Sequence, residues 1–233
     1  MYLRSGNVFK RLVFMLCLFV GSASVSWASD EASKLVINAE SVITSILKDP
    51  KQDGLRNLLK TCHAVMIIPA YVKAGLVFGG AGGSGVLLAH DNKANTWSAP
   101  AFYGLGAASV GLQIGVSSSE VVMVVMNERG LRALMKNKVK LGADLSVAAG
   151  PVGQRGETAT TANLVADIYS YARSRGLFAG VSFEGALIQP RETYHAEYYG
   201  KQVSPTDILL KQNTGKNRAV SLRAALARAS QSD

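Results

Sequence analysis

The sequence predicts an α+β fold with a strongly curved or barrel-like antiparallel β core, N-terminal helices, one basic amphipathic helix and a helical C-terminal tail. Three observations carry this reading. Trp97 to Met126 is a run of small, apolar and β-favouring residues with no Lys or Arg and only Glu120 as a charge, so it reads as a central block of strands. Glycines at 104, 106, 111 and 115 interrupt that block, as they do where a sheet bends or another backbone comes close. Segments of helical period flank it on both sides.

The chain opens with a positive region, Arg4, Lys10 and Arg11, a short apolar run from Leu12 to Val20, and the small-residue ending Ser26-Trp27-Ala28. This is the pattern of a secretory signal cleaved near Ala28, and it predicts an exported, periplasmic or envelope-associated protein. A retained membrane anchor is the alternative, but the apolar run falls short of the roughly 20 residues that span a bilayer. Lipidation at Cys17 is a second alternative, with Leu16 standing where a small residue is wanted. The expected organisation is therefore a signal over 1–28, one domain over 29–210 and a basic helical tail over 211–233.

Of the two cysteines only Cys62 outlasts cleavage, which leaves no intramolecular disulfide and makes Cys62 a core residue. The composition, 48% hydrophobic and 18% charged, is globular and excludes a disordered chain. The formal charge of +9 falls to +6 once Arg4, Lys10 and Arg11 are lost. A basic exported protein points to an anionic membrane surface as partner ahead of nucleic acid. The tyrosines at 194, 198 and 199 stand beside Glu192 and Glu197, unlike a base-stacking platform among cations, so no nucleic-acid partner is expected.

Leu35, Ala39, Val42, Ile43 and Ile46 recur at helical spacing within Ser29 to Asp49, and Lys51 to Thr61 forms a second short helix before Cys62. Short β-like runs follow: 64–68, 73–78, 85–90, 96–103, 109–116 and 121–126, with GGAGGSG and HDNKAN read as turns. Asn127 is placed to cap a helix through about Asn137. Beyond it β character returns at 143–148, 168–172 and 177–188, and Pro190 and Pro205 open two short helices. The final segment, Arg218 to Ala229, reads as a mobile helical tail.

These blocks bear a likeness. KAGLVFGGAGGSGVLL (Lys73 to Leu88), APAFYGLGAASVGLQIG (Ala99 to Gly115), SVAAGPVG (Ser146 to Gly153) and YSYARSRGLFAGVSFEGALI (Tyr169 to Ile188) resemble the SYLF domain family, also called the Ysc84-like actin-binding domain family. The resemblance implies a lipid-binding module with a β core decorated by helices, and some members of the family bind actin. What carries over is lipid binding as a class, in an exported bacterial-type member.

Chemistry is sparse elsewhere. The Gly79 to Gly85 run lacks the Lys-Ser or Lys-Thr of a phosphate loop and continues into strand-like VLLAH. His63, His90 and His195 have no partner at metal-ligand spacing, and no G-x-S-x-G elbow occurs. The sequence predicts a non-enzymatic protein that needs no metal or cofactor. Its candidate lipid-binding residues are Arg129, Arg132, Lys136, Lys138 and Lys140, five cations within twelve residues; Arg218, Arg223 and Arg228 are a second set. Three readings stand open: binding to anionic lipid, a scaffold role towards another envelope protein, and an outer-membrane barrel, which would need longer strands with aromatic girdles.

Overall fold

The computed structural model describes residues 28–75, 78–110, 115–151, 166–174, 177–211, 214 and 219–231. The expected signal region lies, but for Ala28, outside them. Helix α1 (Ala28–Lys48) buries Ala32, Val36, Ala39, Val42, Ile43 and Ile46 along one stripe. A 3-10 turn (Pro50–Gln52) and α2 (Asp53–Thr61) follow. Arg56 on α2 donates to the carbonyls of Ile46 and Asp49 at 3.0 and 2.8 Å, adding a second bond to acceptors that the backbone amides of Asp49 and Gln52 also meet, and so ties α2 to the end of α1.

The strands are β1 (Ala64–Gly75), β2 (Phe78–Asp91), β3 (Thr96–Trp97), β4 (Ala101–Val110), β5 (Gly115–Val125), β6 (Val139–Lys140), β7 (Val147–Ala149), β8 (Ile168–Ser174), β9 (Leu177–Gly180) and β10 (Leu187–Pro190). Helices α3 (Glu128–Leu134), α4 (Glu192–Tyr199), α5 (Pro205–Leu209) and α6 (Val220–Ala229) complete the order. One sheet results, β6-β10-β4-β2-β1-β5-β8-β7, with β3 on β2 and β9 on β8. It curls into a half-barrel. The sheet is mixed where an antiparallel one was expected, because β7 and β8 run parallel.

The curl has a covalent cause. A single segment supplies both edge strands, β6 and β7, and Leu141 bridges Leu145 between them. Laid flat, eight strands at about 4.8 Å would put the edges about 34 Å apart. The six residues that join Lys140 to Val147 reach at most about 25 Å, so the sheet has to bend.

Residues directly opposite on neighbouring strands share a face. The face carrying Val65, Ile67, Val86, Phe102, Val122 and Val124 lies under α1, α4 and α6; the other carries Tyr103, Leu105, Val139 and Ile188. Both sides are buried near the centre. Towards their far ends β1, β2, β4 and β5 run out beyond this cover as a wing rich in glycine, serine and alanine, in which 72–75, 79–84, 106–108 and 115–120 are half-exposed or exposed.

Two strand runs expected separately, 64–68 and 73–78, fall largely within β1, and GGAGGSG is strand where a turn was expected. The reason is a bulge in β1 between Ile68 and Tyr71. It pushes carbonyls towards β2, and a Cβ on Gly85 would stand 2.5 Å from the Ile67 carbonyl oxygen, with Gly83 blocked likewise by that of Ala70. Glycine here serves close backbone approach. The expected strand 109–116 is divided between β4 and β5, and 111–114 lie outside the described residues.

Helix α6 is no mobile tail. Leu222, Ala225, Leu226 and Ala229 are buried in the core, and the Nε of Arg223 donates to the Trp97 carbonyl at 2.6 Å. Among the described residues no helix is long and apolar enough to cross a membrane.

Candidate functional site

Asn127 caps α3 as expected: its side chain accepts the backbone N–H of Gly130 at 2.8 Å. The helix is shorter than expected, ending at Leu134. Its inner side is fixed by three contacts. Leu131 and Leu134 are buried, the Tyr103 hydroxyl donates to the Leu134 carbonyl at 2.9 Å, and Gly130 sits so close to Val125 that an added Cβ would stand 2.8 Å from its Cγ1. Arg129 and Arg132 are thereby turned outward, with side chains 70% and 69% exposed.

Beyond the helix the pattern alternates. Lys138 and Lys140 are exposed while Val139 and Leu141 are buried, as period two requires, and Lys136 is exposed at the end of the α3 turn. Lys140 lies directly opposite Leu187 of β10, so it stands on the sheet face that also holds Gly106 and Gly82. Lys140 thus lies on the face opposite Val139, whereas α3, with Arg129 and Arg132, lies against Tyr103 on the Val139 side.

The five predicted cations are not equivalent. Arg132 pairs with Glu128 at 2.6 Å, one helical turn away. Arg129 pairs with Asp167 at 3.2 Å and donates to the Asp144 carbonyl at 3.2 Å, while the Asp144 carboxylate accepts the backbone N–H of Lys140 at 2.7 Å. Lys136, Lys138 and Lys140 have no ion pair among the described residues. Glu128 at i,i+4 from Arg132 is legible in the sequence; Asp167, far along the chain and buried, has no local signal.

The second set separates. Arg218 lies outside the described residues, Arg223 is tied to Trp97, and Arg228 is exposed. The three histidines hold structural positions. The Nδ1 of His63 faces the Met126 carbonyl at 3.2 Å; His90 stacks on Trp97 with its ring nitrogens near the Cys62 carbonyl and Asn95. The Nε2 of His195 accepts the backbone N–H of Phe102 at 2.7 Å, and burial pushes its pKa down to about 4. Burial pushes the Cys62 thiol up to about 12, so it stays protonated. Tyr194, expected apart from cations, carries the Arg191 guanidinium 3.9 Å above its ring, and Arg191 also donates to the Ser84 hydroxyl.

A family model described as Ysc84, Las17-binding protein actin regulator, matches residues 106–229. Protein YSC84 of Saccharomyces cerevisiae is 36% identical over 155 residues, which cover 65% of this chain and 33% of that protein. LAS seventeen-binding protein 3 of the same yeast is 35% identical over 156 residues, 66% of this chain and 34% of its own length. SH3 domain-containing YSC84-like protein 1 of Bos taurus is 33% identical over 164 residues, 69% of this chain and 47% of that protein. The chain thus spans between a third and a half of the length of these relatives. LAS seventeen-binding protein 3 is named for binding, and the family description names binding and actin regulation.

Proposed function

The chain belongs to the Ysc84 (SYLF) family, and from that premise we propose that it is a non-enzymatic, exported protein that holds to anionic membrane surface through the lysines of the α3–β6 edge. The observation that carries this reading is the division among the five cations: Arg129 and Arg132 spend their charge on carboxylates of the fold, whereas Lys136, Lys138 and Lys140 stand exposed without an ion pair among the described residues. Each lysine near an anionic surface contributes on the order of 1 kcal/mol, so three supply about 3 kcal/mol. That is enough for reversible association and too little for a permanent anchor. The signal-like residues 1–28 support export, and the periplasmic face of an envelope membrane is where the exported domain would meet such lipid.

The test is vesicle co-sedimentation with the phosphatidylglycerol fraction varied. Binding rises with anionic lipid and falls with salt, Lys136→Ala/Lys138→Ala/Lys140→Ala together lose most of it, and Arg129→Ala/Arg132→Ala lose less. Indifference to lipid charge would sink the reading. Amino-terminal sequencing of protein recovered from an envelope fraction tests export, expected to start near Ser29.

A second reading, attachment to another protein, draws support from the yeast relatives, one of which is named a LAS seventeen-binding protein. A single stoichiometric partner that persists on the lysine-free variant would favour it.

A further inference from the structure

Arg191 is a half-buried cation that no carboxylate answers among the described residues. Its side chain leaves the end of β10 and runs over Gly104 of β4, where a Cβ would stand 3.9 Å from its Cδ. It ends on the hydroxyl of Ser84 in β2, the residue that pairs with Gly104. The guanidinium lies 3.9 Å above the Tyr194 ring, and that ring stands edge-on to Phe102. Stacking and the Ser84 bond fix the plane of the group, yet only one of its five N–H donors meets an acceptor among the described residues. Ser84 accepts that bond, and its own O–H meets no acceptor among the described residues. A cation drawn partly out of water is ordinarily paired; here the fold orients the charge and leaves it unanswered.

Beyond Arg191 the same face of the sheet is bare. One row further out Gly82 opposes Gly106, Leu187 opposes Gly106 from the other side, and Lys140 opposes Leu187. Gly106 is not required by the backbone: its φ is outside the left-handed region, and an added Cβ would come no nearer than 4.0 Å to any neighbour. Gly83 and Gly85, on the opposite face, are the contrary case. A recess results, floored by the half-exposed Gly82 and Gly106, with Arg191 and Ser84 along one side and the exposed Leu187 and Lys140 at its end. Lys140 stands two strands, about 10 Å, from Gly106. These residues and the flanking rows, Val86–Phe102 and Gly80–Ala108, are all described.

We propose that this recess binds a phosphate group, with the outer edge of the Arg191 guanidinium, the Ser84 hydroxyl and the Lys140 ammonium donating to its oxygens. Donors on more than one side suit a tetrahedral oxyanion, whereas a planar carboxylate is satisfied by the guanidinium edge alone. Leu187 at the rim gives the organic part of a phosphate ester an apolar contact. The phosphate belongs either to a lipid headgroup or to a soluble ester. The site shares Lys140 with the membrane edge proposed above and does not rest on that reading, because a soluble phosphate needs no membrane.

Calorimetric titration of the full chain with inorganic phosphate and with glycerol 1-phosphate tests the site. Saturable one-to-one binding is expected, and Arg191→Gln weakens it roughly tenfold or more through loss of charge-assisted bonds. Gly106→Val keeps every donor and fills the recess; it weakens binding as much, at a melting temperature no lower than the parent's, so loss of the site is separated from loss of the fold. Lys93→Ala, exposed in the turn after β2, removes the same charge and leaves the affinity unchanged. Displacement of the phosphate by phosphatidylglycerol vesicles identifies a lipid headgroup, and displacement by glycerol 1-phosphate without displacement by vesicles identifies a soluble ester. No saturable binding of either phosphate, an affinity indifferent to Arg191→Gln or to Gly106→Val, or equal displacement by acetate would each overturn the proposal. Vesicle binding indifferent to lipid charge, with phosphate binding intact, would remove the membrane reading and leave this one standing.

Discussion

The carboxylate of Asp167 accepts the backbone N–H of Ser146 at 2.9 Å and its hydroxyl at 2.8 Å, and the Asp167 backbone N–H returns a bond to that same hydroxyl oxygen at 2.8 Å. Asn127, the cap of α3, adds its side-chain amide to the other carboxylate oxygen at 3.0 Å. One buried carboxylate therefore joins the start of α3, the approach to β7 and the approach to β8.

Replacement of Asp167 by Ala removes the acceptor shared by the Ser146 amide, the Ser146 hydroxyl and the Asn127 side-chain amide, and the expected loss is about 3 kcal/mol. For a chain of this size that lowers the melting temperature by about 6–12 °C. Burial pushes the carboxyl pKa up, but the bonds from Ser146 and Asn127 and the charge of Arg129 outweigh it and hold the group below the ordinary carboxylate value. Its contribution is present above pH of about 3.9 and is lost as pH falls through the lowered folded value. Urea titrations of the parent and Asp167→Asn should converge on that acid limb; parallel curves would assign the stability elsewhere.

Glycines in β2 divide by what stands opposite them. Gly83→Ala drives a Cβ into the Ala70 carbonyl and, at 2.8 Å, the Ile68 side chain, and costs about 2–3 kcal/mol. Gly80→Ala enters open space and changes stability by no more than about 0.5 kcal/mol. Thermal melts of the two variants side by side measure the difference, and equal losses would contradict the bulge as the cause.

His195 is held neutral. Its folded pKa of about 4 lies below the unfolded value of about 6.5, so the unfolded chain takes up the proton first and stability falls as pH drops through that window. At pH 5 the loss from this group is about 2 kcal/mol relative to pH 7. His195→Gln keeps an acceptor for the Phe102 amide and abolishes the titration. The stability difference between parent and variant should shift by that amount between the two pH values, and a constant difference would show that the imidazole titrates freely.

Glu128 restrains Arg132 across one exposed helical turn. Glu128→Gln removes one negative charge and frees one positive one at little cost in stability, since exposed pairs of this spacing contribute about 0.3–0.5 kcal/mol. If α3 faces the membrane, affinity for anionic vesicles rises about fivefold or more. Unchanged binding would move the contact away from the outer side of α3.

What could be read locally was read well. The stripe of α1, the Asn127 cap, the strand character of Ala64 to Ile68 and Val121 to Met126, and the helices after Pro190 and Pro205 all depend on neighbours within a few residues. The family likeness rested on several such blocks in order, and the match over 106–229 bears it out. The misreadings have a common origin. GGAGGSG has turn composition, and only the bulge in the facing strand makes it strand. Arg218 to Ala229 is a short apolar stripe flanked by arginines, and only the surfaces of α1, α2 and β3 turn that stripe into core.

The sequence by itself determined most of the elements and the cluster of cations, because spacing and residue type act through short stretches of chain. Tertiary structure decided which cations pair with carboxylates of the fold, and that the sheet curls between two edges supplied by one short segment. Those outcomes rest on partners far apart in the chain, Arg129 with Asp167 and β5 with β8, and a pairing of that kind exists only once the backbone has closed the distance.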